Sequence, residues 1–107
     1  MQNQKILENK INIKFKNKKL LSQSLVHKSF DLLNNNEKLE FLGDRVLGLV
    51  LSKRLFNLYP YESEGSLDKK FASIVNRKIC LKISKILELE KFLILGNTYK
   101  KKIKDRR

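Results

Sequence analysis

The stretch from Asn36 to Pro60 constrains this 107-residue chain more than any other. Its apolar residues recur at helical spacing, Asn36 is a good N-cap, and Pro60 cannot continue a helix. The spacing therefore predicts one long helix ending near Tyr59. Counted at about 100° per residue from Glu37, Glu40 falls near 300° and Asp44 near 340°, so three carboxylates share a roughly 60° arc. Leu39, Leu42, Val46, Leu49 and Val50 cluster on the other side, at about 120–220°. Beyond Gly48, Leu51 and Leu55 carry the front stripe onward as apolar positions. The second half of the helix thus reads as buried all round, which is the profile of a central helix in an all-α domain.

The acidic front has two explanations. The helix macrodipole favours acids in the first turn, which accounts for Glu37 and in part for Glu40. It does not account for Asp44, two turns in. Glu40 and Asp44 form an i, i+4 like-charge pair, which costs about 0.2–0.5 kcal/mol in an isolated helix. Lys38 and Arg45 lie on a flank, at about 80–100°, and give the stripe no facing cation. A concentrated acidic stripe on a chain of net charge +13 suits a divalent-metal site that works on a polyanion. Phe41 sits beside the acids and away from the core face, as a local contact or a knob for a partner. Gly48 leaves room near the acids for a close approach, and Gly43 suits close helix packing.

Charge is distributed unevenly. Residues 31–68 hold seven of the eleven acids, whereas residues 1–20 and 100–107 each hold six basic residues. A basic periphery around an acidic centre suits phosphate-backbone contact beside a metal site. Nineteen of the 24 basic residues are lysine, and the chain is rich in Asn and Ile, so coding bias accounts for part of the excess. No apolar run is long enough to cross a membrane, and the polar start of the chain shows no secretory signal. The single cysteine, Cys80, has no internal partner, and its apolar neighbours Ile79 and Leu81 predict a buried thiol. A reducing cytoplasm fits.

The remaining pattern is helical. Asn17 to Lys28 has apolar residues at Leu20, Leu21, Leu25 and Val26. Ser63 is placed to cap a helix through Val75, with Leu67, Phe71, Ile74 and Val75 inward. Further helices fit Arg77 to Leu87 and Glu90 to Leu95, the last stopped at Gly96-Asn97. No segment alternates convincingly as a strand.

Asn36-Glu37-Lys38-Leu39-Glu40-Phe41-Leu42-Gly43-Asp44, followed by Val46-Leu47, closely resembles the signature of the ribonuclease III catalytic domain. Leu25-Val26-His27-Lys28-Ser29-Phe30, Tyr59-Pro60, Glu64-Gly65-Ser66-Leu67, Ala72 to Asn76 and Leu95-Gly96 also fall in register with that family. The resemblance spans about Ile11 to Arg107 and looks most like the bacterial branch. It implies an all-α endonuclease domain that hydrolyses double-stranded RNA with Mg²⁺, or Mn²⁺ as a substitute, and processes ribosomal-RNA precursors and other transcripts. It implies catalytic and metal-binding roles for Glu37, Glu40 and Asp44, with Glu64 nearby. Phe41 resembles the residue that plugs into the partner of a homodimer. Asn76 and the basic run Lys100, Lys101 and Lys102 are implied RNA contacts, whereas His27 and Ser73 are assigned structure or RNA proximity only. No membrane association and no small-molecule cofactor are implied.

One departure matters. The family completes its metal cluster from a later helix with an Asp and a Glu three residues apart, and these 107 residues contain no such pair. The basic run at 100–107 looks like the loop that precedes that helix. The expectation is a partial catalytic domain over residues 1–107, truncated before its last catalytic helix and without a double-stranded-RNA-binding domain. Such a chain is expected to cleave slowly or not at all alone, and to expose apolar surface. Two other readings are a non-catalytic ribonuclease III-like RNA-binding or ribosome-associated protein, and an unrelated basic helical module such as a DNA binder. Three stacked acids argue against the first, and an acidic front helix is a poor recognition element for the second.

Overall fold

Short polar side chains set where the helices begin. The computed structural model describes the backbone of residues 2–105 and the side chains of residues 3–102. Helix α1 spans Gln2–Ile11, α2 Lys18–Ser24, α3 Glu37–Leu58, α4 Glu64–Ile74, α5 Arg77–Ile86 and α6 Asn97–Asp105, with a 3-10 turn at Leu89–Phe92 between the last two. Asn17 Oδ1 accepts from the Leu20 N–H at 3.0 Å, Ser63 Oγ from Ser66 at 3.2 Å, and Asn76 Oδ1 from Ile79 at 2.9 Å. Each cap satisfies an orphan donor of the first helical turn. The long helix is capped differently from expectation. Asn36 has φ −91° and ψ 2°, and its side chain makes no capping bond. Asn35 Oδ1 takes the Glu37 N–H instead, at 3.1 Å, while Asn36 donates to the Ser24 carbonyl at the end of α2.

Three expected elements change, the first being the helix placed over Glu90 to Leu95, which is a 3-10 turn of Leu89–Phe92 followed by extended backbone. The helix placed over Asn17 to Lys28 stops at Ser24, because the following residues are used in a backbone bridge. Val26 and Ile94 form an isolated parallel bridge: His27 N–H donates to the Ile94 carbonyl at 2.9 Å, and Ile94 N–H to the Leu25 carbonyl at 2.8 Å. The basic run after Gly96 is helix α6, not a loop. Lysines are good helix formers, and the Gly96 carbonyl accepts from Lys100 to close the first turn. The end of that run, Arg106-Arg107, lies outside the described residues.

The core lies where the sequence pattern was weakest. Leu7 of α1, Leu21 of α2 and Phe92 of the 3-10 turn are buried together, with Ile11, Phe15, Leu25 and Leu89 packed around them. No pattern in residues 1–11 had suggested a helix there. Glu8 is buried beside Leu7, where its carboxylate accepts from the Lys18 ammonium and from the Phe15 N–H at 2.6 Å. The hydrogen bond from Lys18, and next that from Phe15, hold the Glu8 carboxyl below its ordinary value. Glu88 sits at φ 53° and binds Lys91 and Lys10, tying α1 to the 3-10 turn. These bonds, that of Lys91 first, lower its pKa as well.

The expected burial of α3 is corrected. Leu55 is buried, and Phe71 of α4 comes within 3.7 Å of where a Gly48 side chain would begin. But Leu42, Val46, Leu49 and Val50 are exposed, as are Phe56 and Leu58. Leu39 is half-buried beside α2, but the rest of the apolar back has the right periodicity and stays exposed among the described residues. Gly43, expected to serve close packing, meets nothing within 4 Å for the same reason. Ile74 of α4 is exposed rather than inward, and Cys80 is exposed on α5 rather than buried. Its neighbour Leu81 is also exposed, whereas Ile79 is half-buried, so only Ile79 of that apolar run turns inward.

Candidate functional site

The front of α3 presents Glu37, Glu40, Phe41 and Asp44 to one shallow groove. Helical geometry alone puts them there, since positions three and four apart share a face. All four residues are exposed. The stripe does meet one cation, contrary to the reading within the helix: Lys28, from the segment after α2, lies 3.6 Å from Glu37. Nothing in the helical wheel could have found Lys28, because it reaches α3 across a loop. Both partners are solvated, so the pair is worth at most about 1 kcal/mol. None of the ion pairs among the described residues involves Glu40 or Asp44.

Arg45 shows why they stay uncompensated. Its guanidinium lies over the Phe41 ring, 3.8 Å from the centroid, and donates to the Phe41 carbonyl at 3.0 Å. That cation–π contact keeps the nearest arginine on the aromatic flank. Phe41 is 60% exposed, so the ring, with Arg45 over one face, stands open to solvent beside the carboxylates.

The other candidates lie elsewhere. Glu64 opens α4, is exposed, and is not among the residues lining the groove. Its neighbour Glu62 is held by the Ser66 hydroxyl and by Lys70, which lower its pKa in that order and give it a structural task. Asn76 spends its side chain on backbone: besides capping α5 it donates to the carbonyls of Ala72 and Ser73. Lys100, Lys101 and Lys102 are exposed on α6. His27 is structural in its contacts, with Nδ1 accepting from the Ser29 N–H at 3.0 Å and the ring stacked on Tyr99 at 4.3 Å.

The chemistry of the front carboxylates suits Mg²⁺ or Mn²⁺, which take hard oxygen ligands. Their number does not complete a site. Among the described residues no three acidic, histidine or cysteine side chains gather closely enough to hold an ion.

Long central helix, acidic front and helical surround together define an all-α domain organised around α3. A family model described as Ribonuclease-III-like matches residues 17–107. The chain is 60% identical over 97 residues to Ribonuclease 3 of Pelagibacter ubique, covering 91% of this chain and 44% of that protein. It is 43% identical over 100 residues to Ribonuclease 3 of Bdellovibrio bacteriovorus, covering 89% and 43%. Among solved structures, the nuclease domain of ribonuclease III from Campylobacter jejuni superposes with a TM-score of 0.89 at 39% identity, over all of this chain and 73% of that one. A second structure of that domain, described for flexibility in a region involved in dimer formation, gives 0.86 at 40% identity over 94% and 71%. The chain belongs to the ribonuclease III family. It spans less than half the length of these curated relatives. No helix among the described residues is long and apolar enough to cross a membrane.

Proposed function

We propose that this chain supplies the first half of a Mg²⁺-dependent endonuclease site for double-stranded RNA. One observation carries the reading: Glu37, Glu40 and Asp44 line an open groove on a family-matched helix, and Glu40 and Asp44 enter no ion pair among the described residues of a protein of net charge +13. Held acids without a cation are arranged for an ion that arrives with the reaction. A bound Mg²⁺ would activate water and neutralise charge on the phosphate and the leaving oxygen. Glu40 and Asp44 would hold it and orient it, with Glu37 as a further acid that Lys28 shares. Glu64 would join from α4 only with some rearrangement of what lines the groove. Phe41 is proposed as a contact between two copies of the chain, and Lys100 to Lys102 as phosphate contacts. Transcript and ribosomal-RNA-precursor processing in the cytoplasm is the corresponding cellular role.

The second acidic pair is what these residues do not provide. Mg²⁺ prefers near-octahedral oxygen ligation and gives up water reluctantly, so carboxylates from one helical face hold it weakly. The 107-residue chain alone should therefore bind duplex RNA but cut it slowly or not at all. The test is a cleavage and binding assay on duplex RNA with Mg²⁺ and with EDTA, for the native chain and Asp44→Asn. Mg²⁺-dependent cutting at rapid rates, abolished by Asp44→Asn, would refute the half-site. Binding indifferent to both Mg²⁺ and Asp44→Asn would favour a purely RNA-binding relative.

A further inference from the structure

We infer that the lysine-lined groove between α1 and α2 is a second docking site, separate from the acidic groove, for the phosphodiester backbone of duplex RNA. Lys5 of α1, Lys14 of the connector, and Lys18 and Lys19 of the first turn of α2 line one open groove of about 650 Å³. Glu8 lies at its base and neutralises Lys18. Lys5, Lys14 and Lys19 enter no ion pair among the described residues. The groove therefore sets four ammonium groups, with Lys14 and Lys18 both drawn to Glu8, against one carboxylate in one concave surface.

The walls are fixed before anything binds. Gln4 of α1 donates to the Ser22 hydroxyl of α2 across the groove. Beneath it, Leu7 and Leu21 are the most buried residues of the core. Glu8 pins the connector by accepting from Phe15, one residue after Lys14. These contacts fix the backbone from which the lysine stems project, so the charges are held on one surface although each ammonium stays mobile.

The groove is distinct from the site on α3. Lys18, Lys19 and Ser22 share one face of α2. Asn17, Leu20, Leu21 and Ser24 share the opposite face, where with Phe15 they line a depression that includes Leu39 of α3. The lysines come from three successive elements and do not close over a central point. That suits a polymer crossing the surface better than a small enclosed anion. Lysine is a flexible point charge, which positions a backbone without reading bases. The choice of duplex RNA as the polyanion rests on the family reading above. The groove's preference for phosphate does not.

The experiment is binding of a short duplex RNA in EDTA by fluorescence anisotropy, at several salt concentrations. The triple variant Lys5→Gln/Lys14→Gln/Lys19→Gln is compared with native protein and with a control, Lys69→Gln/Lys78→Gln/Lys82→Gln, which removes the same charge from exposed sites elsewhere. Each phosphate contact contributes about 0.9 to the slope of log affinity against log salt. The groove variant should lower that slope by about 2–3, so its deficit against native protein shrinks roughly 40-fold between about 50 and 200 mM salt. The control should keep the native slope. An unchanged slope in the groove variant, an equal loss in the control, or no binding by native protein would each overturn the inference. Should the triple variant fold poorly, Lys14→Gln in the connector should carry about a third of the slope change. The readout needs no metal, so its failure leaves the carboxylate reading to be judged by its own assay.

Discussion

Gly96 is where the smallest substitution should have the largest effect. It directly follows the chain segment that bridges Val26 and Ile94. A methyl group there would lie 2.3 Å from the Ser29 carbonyl oxygen and 2.8 Å from its carbon. Both are backbone atoms, so no side chain can swing aside. Gly96 N–H also donates to Ser29 Oγ at 2.9 Å. Gly96→Ala must therefore push the two segments apart. Overpacking of this kind costs about 1–3 kcal/mol, and weakening one or two adjoining hydrogen bonds adds about 0.5–1.5 kcal/mol each. We expect a total near 2–4 kcal/mol, measured by urea denaturation followed by circular dichroism. Loss of hydrogen-exchange protection should appear first in α6 and at His27 and Ile94. Gly43→Ala is the matched comparison, because nothing lies within 4 Å of the added methyl. Inside a helix it should stabilise by up to about 1 kcal/mol. If Gly96→Ala costs under about 0.5 kcal/mol, well short of the overpacking range, the close approach is not a packing constraint and the reasoning fails.

Four further outcomes follow from the same contacts. Leu7→Ala should cost about 2–5 kcal/mol in urea denaturation, because α1 supplies the most buried side chain of the core. Glu8 has a depressed folded pKa, so its stabilisation is fully present above the unfolded value near 4.5 and is lost as pH falls through the folded value. Acid titration of the unfolding midpoint should show a smaller decline in Glu8→Gln than in native protein; an identical decline would remove Glu8 from the account. Phe41→Ala should change stability by no more than about 0.5 kcal/mol, since the ring is solvated, yet reduce self-association in sedimentation velocity. Asp44→Asn should leave the melting curve nearly unchanged while weakening Mn²⁺ binding, measured by calorimetry.

How much the sequence revealed depended on how local each signal was. Ser63 was legible as a helix start because a cap acts over three residues, whereas the caps that Asn17 and Asn76 make were not read, Asn76 having been assigned to RNA. Pro60 was legible as a stop for the same kind of reason. The shared face of Glu37, Glu40 and Asp44 follows from helical periodicity and needs no tertiary knowledge. Contacts between distant segments were not legible. Lys28 reaches Glu37 across a loop, and the bridge from Val26 to Ile94 ends α2 early, spending Leu25 and Val26 on another task. The polar face of α1 hid Leu7, a single buried leucine among charged neighbours. Conversely, the apolar back of α3 was read correctly as a pattern and wrongly as buried. Periodicity identifies a face that is fit for a core; it does not say that these residues contain the cover.

Glu40 and Asp44 are proposed as one wall of a divalent-metal site. Amide line broadening by Mn²⁺, followed across the assigned spectrum, tests it most directly. Weak, saturable broadening centred on residues 37–44 of α3, lost in Asp44→Asn and competed by Mg²⁺, is the expected result. Broadening centred instead around Glu88 and Glu90, or equal in native protein and Asp44→Asn, would contradict it.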